Sequence, residues 1–159
     1  MTLPAGSTDA GGQAGFTLLE IVCVLAIVMM LAAIVLPALP RATSLPQLEG
    51  YALQTAALLN ADHDTAQRQD RDIATQVDAP GRIIRSGASG SVVQLPSDVS
   101  VQTLLASHCD NQIAGATIRY LPSGMSCGGV IALTRSGAGY QVRVNWLTGV
   151  AEVVPANSK

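Results

Sequence analysis

Charge is scarce in this sequence: 13% of its 159 residues are Asp, Glu, Lys or Arg, and eleven acidic against nine basic side chains leave a formal net charge of −2. A basic nucleic-acid stripe and an acidic solvating tail are therefore excluded as dominant features. Aromatic residues reach only 3%. The length suits about one domain, which excludes a large multidomain enzyme. No Gly-x-Ser-x-Gly elbow, phosphate loop or dinucleotide fingerprint occurs, so the common hydrolase and nucleotide-binding signatures are missing. The first fifteen residues, MTLPAGSTDAGGQAG, hold no Lys or Arg. A secretory signal peptide needs a basic start and a small-residue cleavage site after its apolar core; here the small residues come first.

What is present is one long apolar run. From Phe16 to Leu39, 21 of 24 residues are apolar, the exceptions being Thr17, Glu20 and Pro37. As a helix this run would reach ~36 Å, enough to span a bilayer. Without it, roughly 55 apolar residues remain in 135, an ordinary soluble composition. The chain reads as one membrane helix followed by one modest globular domain. Arg41 is the first cation after the span, and the positive-inside rule taken alone would put that side in the cytoplasm.

Beyond the run, Pro37, Pro40 and Pro46 suggest a bent or locally melted junction, because Pro lacks the amide that continues a helical ladder. Leu48, Ala52, Thr55, Leu59 and Ala66 then recur near helical spacing and predict an amphipathic helix to about Arg68 or Arg71. From there the pattern turns to short alternating or β-branched runs punctuated by Gly, Pro, Ser and Asp. The expected strands are Ile73 to Val77, Arg82 to Arg85, Ser91 to Leu95, Ser100 to Leu105, Ala116 to Leu121, Val130 to Thr134, Tyr140 to Asn145 and Val150 to Val154. In the stretch from Tyr140 to Trp146, alternation puts Tyr140, Val142, Val144 and Trp146 on one face and Gln141, Arg143 and Asn145 on the other.

Gly15-Phe16-Thr17-Leu18-Leu19-Glu20, followed by the apolar run, resembles the class III signal of type IV pilins and type II secretion pseudopilins. A second stretch narrows the resemblance. Pro122-Ser123-Gly124-Met125-Ser126-Cys127-Gly128-Gly129, then two strands, then Thr148-Gly149 and a closing strand, resembles the GspH/FimT domain. The first motif and its apolar run cover residues 15 to 45 and the second covers 117 to 154. Glycines in such a loop permit positive φ and close backbone approach.

The resemblance implies an α+β, pilin-like fold: a long N-terminal helix, its first half transmembrane, packed on a C-terminal antiparallel β-sheet domain. It divides the chain into a leader (1–15), a transmembrane and assembly helix (16–39), an amphipathic continuation (40–71) and a periplasmic β-rich domain (72–159). It implies cleavage after Gly15 by prepilin peptidase, N-methylation of the new terminal Phe16, and a helix kink at Pro37. It also implies pairing of Glu20 with the N-terminal amine of a neighbouring subunit. That pairing has a physical rationale, since a lone carboxylate within a membrane helix costs on the order of 2.5 to 3.5 kcal/mol and needs a partner.

The implied function is that of a minor pseudopilin, a non-enzymatic subunit of a type II secretion pseudopilus. The alternative is a FimT-like minor pilin of a type IV pilus, serving pilus assembly or DNA uptake. Partners would be other major and minor pseudopilins, prepilin peptidase, the inner-membrane assembly platform and inner-membrane lipid, with no cofactor, small-molecule ligand or nucleic acid. The N-terminus would lie in the cytoplasm of a Gram-negative bacterium and the domain in its periplasm. The motif outweighs the single Arg41 on this point.

Three cysteines and a few polar clusters remain. Cys23 falls in the apolar run as a small apolar side chain. Cys109 and Cys127 can form a disulfide, stay as two thiols, or bind metal with His108; the oxidising compartment implied above favours the disulfide. Asp62-His63-Asp64 reads as a solvated helix face, because consecutive helical residues point in different directions. Asp70, Asp72 and Asp78 lack the Gly and terminal Glu of a calcium loop. Ser107-His108-Cys109-Asp110 holds the letters of a hydrolase site, but sequence neighbours do not make a triad in space.

Overall fold

The computed structural model describes residues 17–35 and 42–156. They belong to two compact units, Met1–Arg41 and Ala42–Lys159. Gly15, Phe16, Pro37 and Pro40 lie outside the described residues, and so do the ends of the apolar run.

In the first unit, helix α1 spans Leu18–Val35. Thr17 caps it: its Oγ1 accepts the Glu20 N–H at 3.2 Å, and its carbonyl accepts the N–H of Glu20 at 3.0 Å and of Ile21 at 3.3 Å. Its large apolar side chains are exposed all round, from Leu18 to Leu31, the pattern of a helix built for cover by lipid or other helices. Eighteen residues give about 27 Å, slightly under the ~30 Å hydrocarbon core. Among the described residues no helix is long and apolar enough to cross a membrane.

The second unit opens with α2, Leu45–Gln69. Ser44 is its N-cap, and Gln47 Oε1 reaches back to accept the Ser44 N–H at 2.9 Å. Pro46 does not break this helix. It sits in the first turn, where its missing N–H would have had no helical partner. The helix stops at Asp70, whose backbone is left-handed at φ 48°.

Ten strands follow. Four form an antiparallel sheet in the order β3 (Val92–Gln94), β2 (Ile83–Arg85), β1 (Ile73–Asp78), β7 (Thr117–Tyr120). A second antiparallel sheet runs β10 (Ala151–Ala156), β9 (Ala138–Val144), β8 (Gly129–Arg135), β4 (Ser100–Leu105). A small hairpin joins β5 (His108–Cys109) to β6 (Gln112–Ile113). Every predicted strand is present, with ends shifted by a residue or two, and β5–β6 is additional. Helix α2 packs on both sheets and buries Leu48, Ala52, Leu59 and Ala66 against Ile73, Ile118, Ile131, Leu133 and Val142.

One alternation fails. Tyr140, Val142 and Val144 do turn inward, but β9 ends at Val144 and the turn that follows leaves Trp146 65% exposed.

Two polar fixtures tie α2 in place. The Asn60 carboxamide bonds both backbone groups of Ala151, donating to its carbonyl at 3.2 Å and accepting its N–H at 2.8 Å, as a neighbouring strand would. At the entry to α2, Asp98 accepts the Thr43 N–H at 2.7 Å and hydroxyl at 2.8 Å, and pairs with Arg135 at 2.9 Å; Arg135 also donates to the Thr43 carbonyl. The bonds from Thr43, and then the charge of Arg135, hold the Asp98 carboxyl below the usual carboxylate range.

Candidate functional site

The inner face of α2 carries the most concentrated polar geometry in the domain. Asp62 is 1% exposed, and both of its carboxylate oxygens are fully engaged. Oδ2 accepts the Thr75 hydroxyl at 2.5 Å and the Gly87 N–H at 2.9 Å; Oδ1 accepts the Ser86 hydroxyl at 2.5 Å and the Ala88 N–H at 3.3 Å. The carboxylate thus pins α2 to β1 and to the turn between β2 and β3. Tyr120 is also buried, and burial, with the charge of Asp62 added, pushes its phenol well above the ordinary value.

His63 sits beside Asp62, buried. Its Nε2–H donates to the Gly124 carbonyl at 2.9 Å, and its ring packs on Tyr120 at 5.7 Å between centroids. Gly149 lies against the same ring with φ +69°; a Cβ there would fall onto His63 Cδ2 and within 2.5 Å of the Gly124 carbonyl. The Pro122–Gly129 loop and the Thr148-Gly149 turn therefore meet on one histidine of α2. Only residues without a Cβ permit that approach.

This overturns the expectation of a solvated Asp62-His63-Asp64 face. Only Asp64 fits it, exposed and 3.9 Å from Arg68 one helical turn on. The helical phase that buries Leu59 and Ala66 also carries Asp62 and His63 inward. The donors that make burial tolerable come from distant segments.

The other polar clusters do not converge. Asp70 caps α2, Asp72 lies 3.8 Å from Arg119, and Asp78 accepts the Gly81 N–H at 3.0 Å in a turn. Among the described residues, no three His, Cys, Asp or Glu side chains are placed to hold a metal ion. His108 is exposed at the hairpin, 3.3 Å from the Ser107 hydroxyl, while Asp110 and Asn111 form its left-handed turn. Cys109 is joined to Cys127, their Cα atoms 5.6 Å apart, which anchors the hairpin to the Gly-rich loop; Cys23 is free and exposed.

With Cys109 and Cys127 bridged in the native protein, maleimide applied to the unreduced full chain should label Cys23 alone. Reduction should add two labels and lower the domain's stability by about 3 kcal/mol, the value for a loop of this size. Three labels without reductant would contradict the bridge.

At the N-terminus, Glu20 occupies the third position of α1, in its first turn beside the Thr17 cap. A carboxylate there also complements the partial positive charge of a helix start. Gly15 and Phe16 lie outside the described residues.

Comparisons with known proteins bear on both units. Residues 11–36 match the prokaryotic N-terminal methylation motif. Among curated proteins no sequence match is found. Among solved structures, the chain is similar to the minor pseudopilin EpsH from the type 2 secretion system of Vibrio cholerae. It shares 12% identity at a TM-score of 0.53, over 68% of this chain and 96% of that one. A crystal structure of the same pseudopilin gives 13% identity, a TM-score of 0.52, and coverage of 68% and 94%. The type IV minor pilin FimU of Pseudomonas aeruginosa gives 19% identity, a TM-score of 0.50, and coverage of 69% and 90%. The chain thus joins a prokaryotic N-terminal methylation motif to a helix-on-sheet domain with the fold of minor pseudopilins and minor pilins, a type IV pilin-like architecture.

Proposed function

We propose that this chain is a minor pseudopilin, a structural subunit of a type II secretion pseudopilus that supports protein export across the outer membrane. The observation that carries the reading is the pairing of the two halves: a methylation motif at residues 11–36 ahead of a domain folded like a minor pseudopilin. In this reading prepilin peptidase cuts after Gly15 and methylates Phe16. The apolar helix, kinked at Pro37, then anchors the subunit in the inner membrane with its domain in the periplasm. Glu20 pairs with the terminal amine of a neighbouring pilin-like subunit. The domain's role is to be recognised and stacked, and no cofactor enters.

The likeness to FimU supports a second reading, a minor pilin of a type IV pilus. Charge argues against one variant of it, DNA uptake. Residues 41–159 hold nine basic and nine acidic side chains, so there is little net charge to displace counterions from phosphate.

A deletion strain separates the readings. Loss of the chain should stop release of secreted proteins and spare surface pili, and the purified protein should leave a DNA fragment unshifted at physiological salt. Loss of pili with secretion intact, or salt-sensitive micromolar DNA binding, would instead establish the second reading.

A further inference from the structure

The β5–β6 hairpin has almost no apolar grip on the domain that carries it. From Ser107 to Gly115, Cys109 and Ala114 are buried and the other seven residues are exposed, Ile113 at 80%. Its strands are two residues each and, among the described residues, pair with each other alone. Two such pairs closed by a tight turn do not hold a hairpin together in water.

Two hydrogen bonds and one covalent bond tie it down among the described residues. The Thr117 hydroxyl donates to the Ala114 carbonyl at 2.5 Å, at the root of the hairpin itself. Arg119 Nη1 donates to Gln112 Oε1 at 2.6 Å in a contact open to water, where such bonds contribute little. The remaining tie is the bond from Cys109 to Cys127.

The two ends of that bond stand on unequal ground. On the loop side, the Cys127 N–H donates to the Arg119 carbonyl at 3.0 Å, the Ser126 N–H to the Trp146 carbonyl at 2.9 Å, and the Gly128 N–H to the Ser126 hydroxyl at 3.1 Å. On the hairpin side, Gly115 has φ +59° and open space where a Cβ would stand, so the backbone can turn there. If the bond is cut, the loop keeps its place and the hairpin moves. Reagents can also reach it. Cys109 is buried, but Cys127 is half-buried and borders an open hollow on each side, about 430 Å³ beside His108, Asp110 and Trp146 and about 550 Å³ beside Leu104 and Arg143.

We propose that the Cys109–Cys127 bond is a redox latch on a flap. Oxidised, it holds residues 106–116 against the Gly-rich loop as one wall of the hollow beside Trp146. Reduced, it releases that flap into solvent while α2 and both sheets stay folded. The co-reactant is a dithiol. One of its thiolates attacks Cys127 Sγ, the S–S bond breaks, and the electron pair leaves on Cys109 Sγ, which takes up a proton. The second thiol of the reagent then displaces Cys127 from the mixed disulfide. Two electrons and two protons have passed to the protein, and the reagent departs as a disulfide.

The test is hydrogen exchange followed by mass spectrometry on the full chain in detergent, before and after treatment with dithiothreitol and without denaturant. On reduction, residues 107–114 should exchange at the rate of an unstructured peptide, while β8 and β9 stay at least a hundredfold slower than that. Reoxidation with oxidised glutathione should restore the hairpin's protection. The Cys109→Ser, Cys127→Ser double variant should show the released pattern with or without the dithiol. Hairpin protection unchanged after confirmed reduction would overturn the latch, since non-covalent contacts would then suffice. Loss of protection in β8 and β9 along with the hairpin, in the reduced protein or the double variant, would overturn it too, because the bond would then staple the whole domain. So would a bond that dithiothreitol reduces only in denaturant.

Discussion

Asp62→Ala should destabilise the helix-on-sheet domain by about 4 kcal/mol, a large fraction of the ~5 to 15 kcal/mol that holds a domain of this size together. The substitution strips the acceptor from the hydroxyls of Thr75 and Ser86 and the amides of Gly87 and Ala88. The Thr75 and Ser86 hydroxyls are buried, and each buried group left unsatisfied costs about 1 to 3 kcal/mol, whereas Gly87 is exposed and the Ala88 N–H keeps the Ser86 hydroxyl at 3.2 Å. Relief from burying the carboxylate offsets part of this. Asp62→Asn keeps one accepting oxygen and should cost about half as much. Tyr120→Phe is the matched control, because the Tyr120 hydroxyl is buried without a hydrogen-bond partner. It should be neutral or slightly stabilising. Urea unfolding followed by circular dichroism measures all three, and an Asp62→Ala cost below 1 kcal/mol would show that the buried cluster does not hold the domain together.

Glu20→Ala should abolish assembly while leaving the subunit processed and in the membrane. Removing the carboxylate makes the apolar helix easier to insert, but it removes the partner proposed for a neighbour's N-terminal amine. Crosslinking to other pilin-like subunits should fall at least tenfold, and the variant should fail to restore export in a deletion strain. A competing role must be separated, because Glu20 also lies in the first turn of α1 beside the Thr17 cap. That contribution is about 0.3 to 1 kcal/mol, too little to abolish assembly. Glu20→Gln keeps a polar group of similar size at the same position and removes only the charge, so it should fail as Glu20→Ala does. Normal crosslinking and export by both variants would mean that the domain alone recruits the subunit.

The strands were legible because β-branched and aromatic residues alternate between Gly, Pro and Asp breaks, a pattern set by local geometry. What was not legible came from contacts between distant segments. The phase of α2 pointed to Asp62 and His63 through Leu48, Ala52, Thr55, Leu59 and Ala66, yet their polarity suggested solvent. Nothing near Asp62 in the sequence announces Thr75, Ser86, Gly87 and Ala88 as its donors. Trp146 departs from the alternation for a related reason, since the strand ends at Val144 and the chain enters the Asn145 to Gly149 turn. The β5–β6 hairpin is two residues a side, too short for periodicity to register, and the bond from Cys109 to Cys127 anchors it. The N-terminal motif needed no tertiary information at all, being one contiguous run of residues, 11–36, that matches a family by sequence alone.

The most direct test of the account is the mass of the N-terminal peptide from the protein recovered in membranes of cells that carry a prepilin peptidase. The account predicts a chain beginning at Phe16 with one added methyl group, and full-length precursor accumulating when Gly15 is replaced by a bulky residue such as Leu. An intact Met1 terminus in assembled material, or a cut after the apolar run that frees the domain from its helix, would contradict it.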